Sequence, residues 1–471
     1  MKNENYELNC NISGNLIIDR YRVFSNIEFK KLVIQFAKKL STMTYKNSLI
    51  AIIGKNTTLT LISLLASIEI ESSIMLIDPS LQQEEILRIC TRTKPHLLID
   101  HMQKYDFSFP LIDQNASSRI FQLSNNKNYI VNSVIQITSG STGESKIVKR
   151  SFSSIHSEII ESFKEMDFSE NETFLCISPI VHSFGLVSGC LLPYFFKKNL
   201  ILIDEFFPGE ILDICKKYSV DVIFAAPYMY HLLGKYMTND ISQNIKGKCI
   251  SAGATLNKEI VYEFYKKTNV EIWNDYGSTE TGLLCLNKNT LSKPESIGKP
   301  IKKCHLLTGG NDFKSERENE VVIYCPWLES EYIDGSTTKI SMAYHTGDLG
   351  IVDEDGNIFL TRRIDDIINI YGKKASSSEI EKFIEQIDFI EKCVVISSAY
   401  YKGGRIVAFI KTCKEPFDLG DVIKYCQKSL PDYKIPREIY VLKDIPTSKT
   451  GKTLKKYLLN ELLERSNNEK D

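Results

Sequence analysis

Runs of β-branched residues alternate with helical patterns through the first two thirds of the chain. Residues 48–54 (SLIAIIG) are almost continuously apolar and predict a buried strand. An apolar helical pattern follows to about Ile70, and residues 73–78 (SIMLID) predict the next strand, closed by the turn Pro79-Ser80. Residues 131–138, 173–178, 199–203 and 220–225 repeat the strand pattern. Between them, residues 154–166 place Ile155, Ile159, Phe163 and Met166 on one helical face. Strand and helix in alternation imply α/β layers with largely parallel sheets.

The pattern changes near Ser292. From there to Thr361, short alternating segments dominate, EVVIYCPW and then LGIVDEDGNIFLTRR, whose Asp355-Gly356 marks a hairpin turn. This predicts a small β-rich unit attached to the α/β body. A helix over 378–386, strands over 393–398 and 405–412 joined through Lys402-Gly403-Gly404, and a helix over 421–430 then predict a compact α+β module. Its length, about a hundred residues, suits a separate domain.

Composition narrows the class of protein. A chain of 471 residues is too long for one ordinary core. Hydrophobic residues at 43% and charged residues at 25% give a soluble globular profile. Basic and acidic counts of 58 and 59 nearly cancel, so nothing electrostatic favours nucleic acid or an anionic membrane as partner. The start, MKNENYELNC, lacks a basic-then-apolar signal, and no run reaches the roughly 18 apolar residues of a membrane span. Twelve cysteines without a CxxC pair and seven histidines without HxxxH argue against structural zinc. They fit reduced thiols in a cytoplasmic protein.

The first candidate chemistry is residues 138–146, TSGSTGESK, directly after a predicted strand. Glycines let the backbone approach an anion, Ser and Thr offer hydroxyl donors, and Lys146 adds positive charge. Such a loop suits the phosphates of a nucleotide, although the same residue types also make polar surface turns. It is not a Walker loop, because its glycines are Gly140 and Gly143. Thr450-Gly451-Lys452-Thr453 also fails that pattern, since Pro446 stands where its first glycine is needed.

An ordered set of segments resembles the adenylate-forming superfamily of acyl-CoA synthetases, peptide-synthetase adenylation domains and beetle luciferases. The stretch from Thr138 to Lys146 resembles the family's phosphate loop, with Ser145 for its proline. DYGSTE at 275–280 resembles the adenine and magnesium segment, and HTGD at 345–348 the ribose-binding segment. Arg363-Ile364-Asp365 stands where the family has its interdomain hinge, and LPDYKIP (430–436) and PTSKTGK (446–452) resemble the last two signatures. Order and spacing agree from about residue 25 to 460.

The resemblance implies a large α/β N-terminal domain, residues 1–361, made of two α/β lobes plus the small β-rich unit. A small α+β C-terminal domain, residues 362–471, follows on a hinge at Asp365. It also implies ATP and Mg²⁺ as cofactors. Ser139, Gly140, Ser141, Thr142, Gly143 and Lys146 would face phosphate, with Thr138 catalytic. Tyr276 would stack on adenine against Gly253 and Ala254, with Asp275, Gly277 and Thr279 in the same nucleotide segment. Glu280 would be catalytic and the metal ligand, Asp348 would take the ribose hydroxyls, and Arg363 counts among the nucleotide contacts. Lys452 would bridge carboxylate and ATP in the adenylation transition state. Arg362 replaces a usual glycine before the hinge arginine, so ordinary β-region dihedrals are expected there. Ser377, Asn319 and Lys374 are lesser departures.

The acyl site is expected at PIVHSFGLVSG (179–189), with His182, Ser183 and Phe184, and at Ala226, Ser278 and Leu283. That stretch carries no acid, and a buried ammonium without a partner is costly, which disfavours α-amino acids. An aryl or medium-chain acid fits, activated to acyl-AMP with pyrophosphate release and then transferred to a thiol. Coenzyme A is the expected thiol. The alternatives are the phosphopantetheine arm of a separate carrier protein, a luciferase-like oxygenase, or an inactive binding homologue.

Overall fold

The first strong apolar run forms strand β1 (Leu49–Ile53), buried along its whole length. The computed structural model describes residues 16–20, 22–115, 117–123, 132–138, 146–237, 245, 247–307, 319–333, 338–370, 373–398, 405–413, 417–447, 453, 455, 457 and 458. Of these, 338, 365, 367, 369, 373, 374, 397 and 398 are described by backbone alone. Helix α1 (Thr58–Glu69) follows β1 and is apolar nearly all round, so it is buried; the Thr57 side chain caps it by accepting from the Thr60 N–H. β1 lies between β2 (Ser73–Ile77) and β3 (Leu97–Asp100), both parallel to it. β4 (Ser118–Gln122) runs antiparallel to β3. β2 pairs in parallel with β5 (Ser133–Thr138), which turns back antiparallel into β6 (Lys146–Ser151).

Helix α2 (Phe152–Met166) leads into the second lobe, whose strands run β8-β7-β9-β10-β11 in parallel. These are β7 (Thr173–Cys176), β8 (Asn199–Leu202), β9 (Val222–Ala225), β10 (Lys248–Ser251) and β11 (Ile272–Ser278). β12 (Gly282–Asn287) extends the row antiparallel to β11, and Ser296–Pro300 pairs antiparallel on its far side. Helices α3 (Pro227–Tyr236) and α4 (Lys258–Thr268) cover one face, where Tyr230, Phe264, Ile223 and Ile272 share a core. Phe224, one residue on from Ile223, points to the opposite face and meets the Phe184 ring at 5.6 Å. There the chain forms a π-helix (Phe184–Leu191). A Cβ on Gly185 would lie 2.2 Å from the Pro179 carbonyl oxygen, so only glycine lets this wide helix press so close to its entry loop.

β13 (Asn319–Tyr332) pairs antiparallel with β6 through Ser330–Tyr332. The β-rich segment is therefore stitched at that end into the first sheet. β14 (Thr338–Val352) and β15 (Ile358–Arg363) make the expected hairpin, with Gly356 at positive φ in its turn. Arg362 lies in extended strand, as expected, and pairs with Leu349.

Helix α5 (Ser377–Ile384) begins where the Ser376 hydroxyl accepts from the Glu379 N–H. β16 (Ile390–Ser398) and β17 (Arg405–Thr412) are antiparallel, α6 (Leu419–Ser429) follows, and β18 (Glu438–Val441) adds in parallel to β17. Ile380, Val395, Ile406, Ala408 and Val422 form its core. By compactness the described chain makes two units: the first runs to Leu306 and takes in Ile323–Tyr344, and the second gathers the parts within Leu307–Val322 and His345–Asp471.

Among the described residues every cysteine is free, and all but Cys413 are buried. Burial pushes the Cys176 thiol up to about 12 and raises that of Cys285 still further. Among them, too, no helix is long and apolar enough to cross a membrane.

Candidate active site

The turn from β11 to β12 carries the most chemistry. Ser278 pairs with Gly282, so Thr279, Glu280 and Thr281 reverse the chain. Gly282 has φ +70°, and a Cβ there would stand 2.0 Å from the carboxyl carbon of Glu158, which makes glycine obligatory. Glu158 comes from α2, and Arg150 from β6 donates to it at 2.7 Å. The same guanidinium nitrogen reaches the Thr281 carbonyl at 3.2 Å, and the Glu158 carboxylate accepts the Leu283 N–H at 3.2 Å. One ion pair, with Arg150 only 1% exposed, thus grips the turn on its β12 side. The sequence held a signal for it: Glu158 interrupts the buried face of α2 three residues after Ile155, and a buried carboxylate needs a partner.

Glu280 is 8% exposed. Its Oε1 accepts the Tyr332 hydroxyl at 2.7 Å, and among the described residues no hydrogen bond reaches Oε2. The Lys146 ammonium lies 5.3 Å from the centre of the Tyr332 ring, so Tyr332 connects two residues singled out from the sequence. Thr138 and Lys146 form the last pair of the β5–β6 ladder. Ser139, Gly140, Ser141, Thr142 and Gly143, between them, lie outside the described residues.

β10 and β11 bring the nucleotide candidates to one edge. Ser251 pairs with Asn274, which carries Gly253 alongside Tyr276 at the carboxyl ends of the two strands. Gly253, Ala254 and Gly277 are exposed there, while Asp275 is buried. Carboxyl ends of parallel strands are where open α/β sheets hold ligands. The acyl candidates gather on the π-helix side. The His182 N–H donates to the Pro179 carbonyl, and the His182 carbonyl accepts from Leu186 as the helix begins. The Asn56 side chain holds this entry, donating to the Ser178 carbonyl and accepting from the Ile180 N–H. Ser183, Ala226 and Leu283 are buried, and His182, Phe184 and Ser278 are half-buried.

In the second unit Asp348 faces Arg363 across the β14–β15 ladder, their side chains 3.5 Å apart. Gly347 at φ +72° turns the chain into Asp348, whose N–H donates to the Thr346 hydroxyl. Glu320 accepts from the Gly347 N–H and meets the His345 ring at 3.0 Å. Asp365 lies in a short 3-10 turn, Ile364–Asp366. The Lys455 ammonium meets Asp366 at 3.3 Å and Glu381 at 3.4 Å. Thr447 and Thr453 bridge antiparallel, and Lys452 lies outside the described residues.

Residues 14–332 match the family model of the AMP-binding enzymes, and residues 379–452 that of the AMP-binding enzyme C-terminal domain. The chain belongs to the AMP-binding enzyme family, and it is an ATP-dependent acid–thiol ligase working through an acyl-adenylate. A 3,4-dihydroxybenzoate–[aryl-carrier protein] ligase of Bacillus anthracis is 26% identical over 327 residues, 69% of this chain and 73% of that one. A 2-succinylbenzoate–CoA ligase of Listeria monocytogenes serotype 4b is 23% identical over 459 residues, 93% of each. Among solved structures, o-succinylbenzoate CoA synthetase of Bacillus subtilis with its acyl-adenylate intermediate superposes with TM-score 0.79 at 20% identity. That match covers 94% of this chain and 95% of the other, and at such identity it shows the fold.

Proposed function

We propose that the acid is aromatic or a medium-chain aliphatic acid and that the thiol is coenzyme A. In this reading Glu280 holds Mg²⁺ through the oxygen that Tyr332 leaves open, since Mg²⁺ takes one or two carboxylates together with phosphate oxygens. Lys146 and the loop after Thr138 bind phosphate, and Asp348 accepts the ribose hydroxyls. Lys452 neutralises charge that develops between carboxylate and α-phosphate. The reaction runs in the cytoplasm, where a thiol acceptor stays reduced. The observation that carries the reading is Glu280 itself, a buried carboxylate with one oxygen engaged, on a turn clamped by Arg150 and Glu158.

The test is a screen of acids by ATP–pyrophosphate exchange, followed by thioester formation with coenzyme A. Glu280→Gln keeps the fold and loses roughly 10²-fold or more in exchange, because an amide cannot supply the charge that a metal ligand needs. Exchange at the parental rate would remove Glu280 from the metal site. Loading of a carrier protein is the second reading, favoured by the Bacillus anthracis relative. Acyl transfer to a phosphopantetheinylated carrier, with none to coenzyme A, would decide for it.

A further inference from the structure

Tyr332 ends the short ladder by which β13 joins β6. Glu331 stands opposite Lys149, and Tyr332 opposite Val148. The Lys149 ammonium meets Glu331 at 3.1 Å, and the Ser151 hydroxyl donates to Glu329 at 2.5 Å. Just beyond the ladder, the Ile333 N–H donates to the Ile147 carbonyl at 2.8 Å. Opposite charges on facing strands help to fix register, so the place of the Tyr332 side chain follows from the ladder.

That side chain is engaged at both ends by groups of opposite charge. Its hydroxyl donates to the Glu280 carboxylate at 2.7 Å, and the Lys146 ammonium stands 5.3 Å from its ring centre. A phenol has a single proton to donate, so the bond selects one carboxylate oxygen and leaves the other for a different partner. The aromatic face attracts the ammonium and restrains a long, exposed side chain. Among the described residues no ion pair joins Lys146 to Glu280, although both lean on this one tyrosine. A lysine that closed on Glu280 would neutralise the carboxylate and give up its own charge to it.

We infer that Tyr332 is a positioning residue: its hydroxyl orients Glu280 toward the metal ion, and its ring keeps Lys146 from neutralising that carboxylate. The two charges are thereby held apart, the carboxylate for the cation and the ammonium for phosphate. This rests on the proposed roles of Glu280 and Lys146. A group that orients a metal ligand through a hydrogen bond governs metal affinity without touching the metal.

The test is ATP binding by calorimetry, with Mg²⁺ and with EDTA, and pyrophosphate exchange over a range of Mg²⁺ concentrations, all on the full-length protein. Tyr332→Phe keeps the ring and removes the hydroxyl. It should raise the half-saturating Mg²⁺ concentration about tenfold or more and leave ATP binding in EDTA unchanged. Tyr332→Leu removes the ring as well, and should also weaken ATP binding in EDTA about threefold. In a Glu280→Gln background, Tyr332→Phe should weaken Mg²⁺-dependent ATP binding no further, since the group it orients is gone. Parental Mg²⁺ dependence in Tyr332→Phe overturns the inference. So does equal weakening of its ATP binding with Mg²⁺ and with EDTA, which would make Tyr332 a packing residue or a nucleotide contact. Full additivity of Tyr332→Phe and Glu280→Gln overturns it too, and parental ATP binding in EDTA by Tyr332→Leu overturns the part assigned to the ring. If Glu280→Gln itself keeps the parental Mg²⁺ dependence, the metal-site reading fails and this inference with it. Loss of Mg²⁺ dependence in Glu280→Gln but not in Tyr332→Phe refutes this inference alone.

Discussion

Lys452→Ala should lose about 10²-fold or more in acyl-adenylate formation, yet form thioester from supplied acyl-AMP at nearly the parental rate. In the proposed reading the lysine's charge acts while negative charge builds on the transferring phosphate, and the second step no longer moves charge onto pyrophosphate. Asp365→Pro should show the converse. A ring that fixes φ near −65° would restrain the proposed hinge position, so thioester formation should slow while pyrophosphate exchange persists. Both variants are to be assayed in both half-reactions. Equal loss of the two steps in Lys452→Ala, with the circular dichroism spectrum intact, would sink the separation.

The largest effect on stability should come from Arg150→Ala. Removing one partner of a buried ion pair strands the other, at a cost of about 3–5 kcal/mol. Glu158 would then sit uncompensated behind the turn that carries Glu280, beside an already repelled Asp275. A double change, Arg150→Met with Glu158→Leu, should recover most of the lost stability, since apolar replacement of a buried pair is often neutral or better. It should not recover the exchange rate, because the Thr281 carbonyl and the Leu283 N–H have lost the groups that hold them. Urea unfolding and pyrophosphate exchange measured on the same preparations distinguish these outcomes. Recovery of both would reduce the pair to a packing element.

The parts of this site that lie in one short stretch were legible in the sequence. The strands β1, β2, β7 and β9 and helix α2 appear within about two residues of their expected bounds, because each announces itself by its own period. The order of the motifs singled out Glu280 and Asp348 as candidates. Tyr332 could not be found that way, since its value comes from the pairing of β13 with β6, strands far apart in the chain. Arg150 and Glu158 are only eight residues apart, but their meeting depends on how α2 folds back against β6 and β12. The π-helix was equally hidden. The run GLVSGCLLPYFF is apolar on every side and has no phase to read, and its geometry follows from backbone contact at Gly185. Asp275 was assigned to the nucleotide by its neighbours in the motif, whereas the register points its side chain the other way from Tyr276.

The buried cysteines bear on a hazard of this chemistry. An acyl-adenylate is a mixed anhydride, and any thiolate within reach can capture its acyl group. An enzyme that delivers acyl groups to a chosen thiol must therefore keep its own thiols from competing. Cys176 lies under the π-helix, against Gly189, close to the expected acyl site. With its thiol pushed up to about 12, the thiolate fraction at neutral pH is on the order of 10⁻⁵. Burial thus does more for these side chains than fill the core: it leaves them almost no thiolate with which to compete for the acyl group.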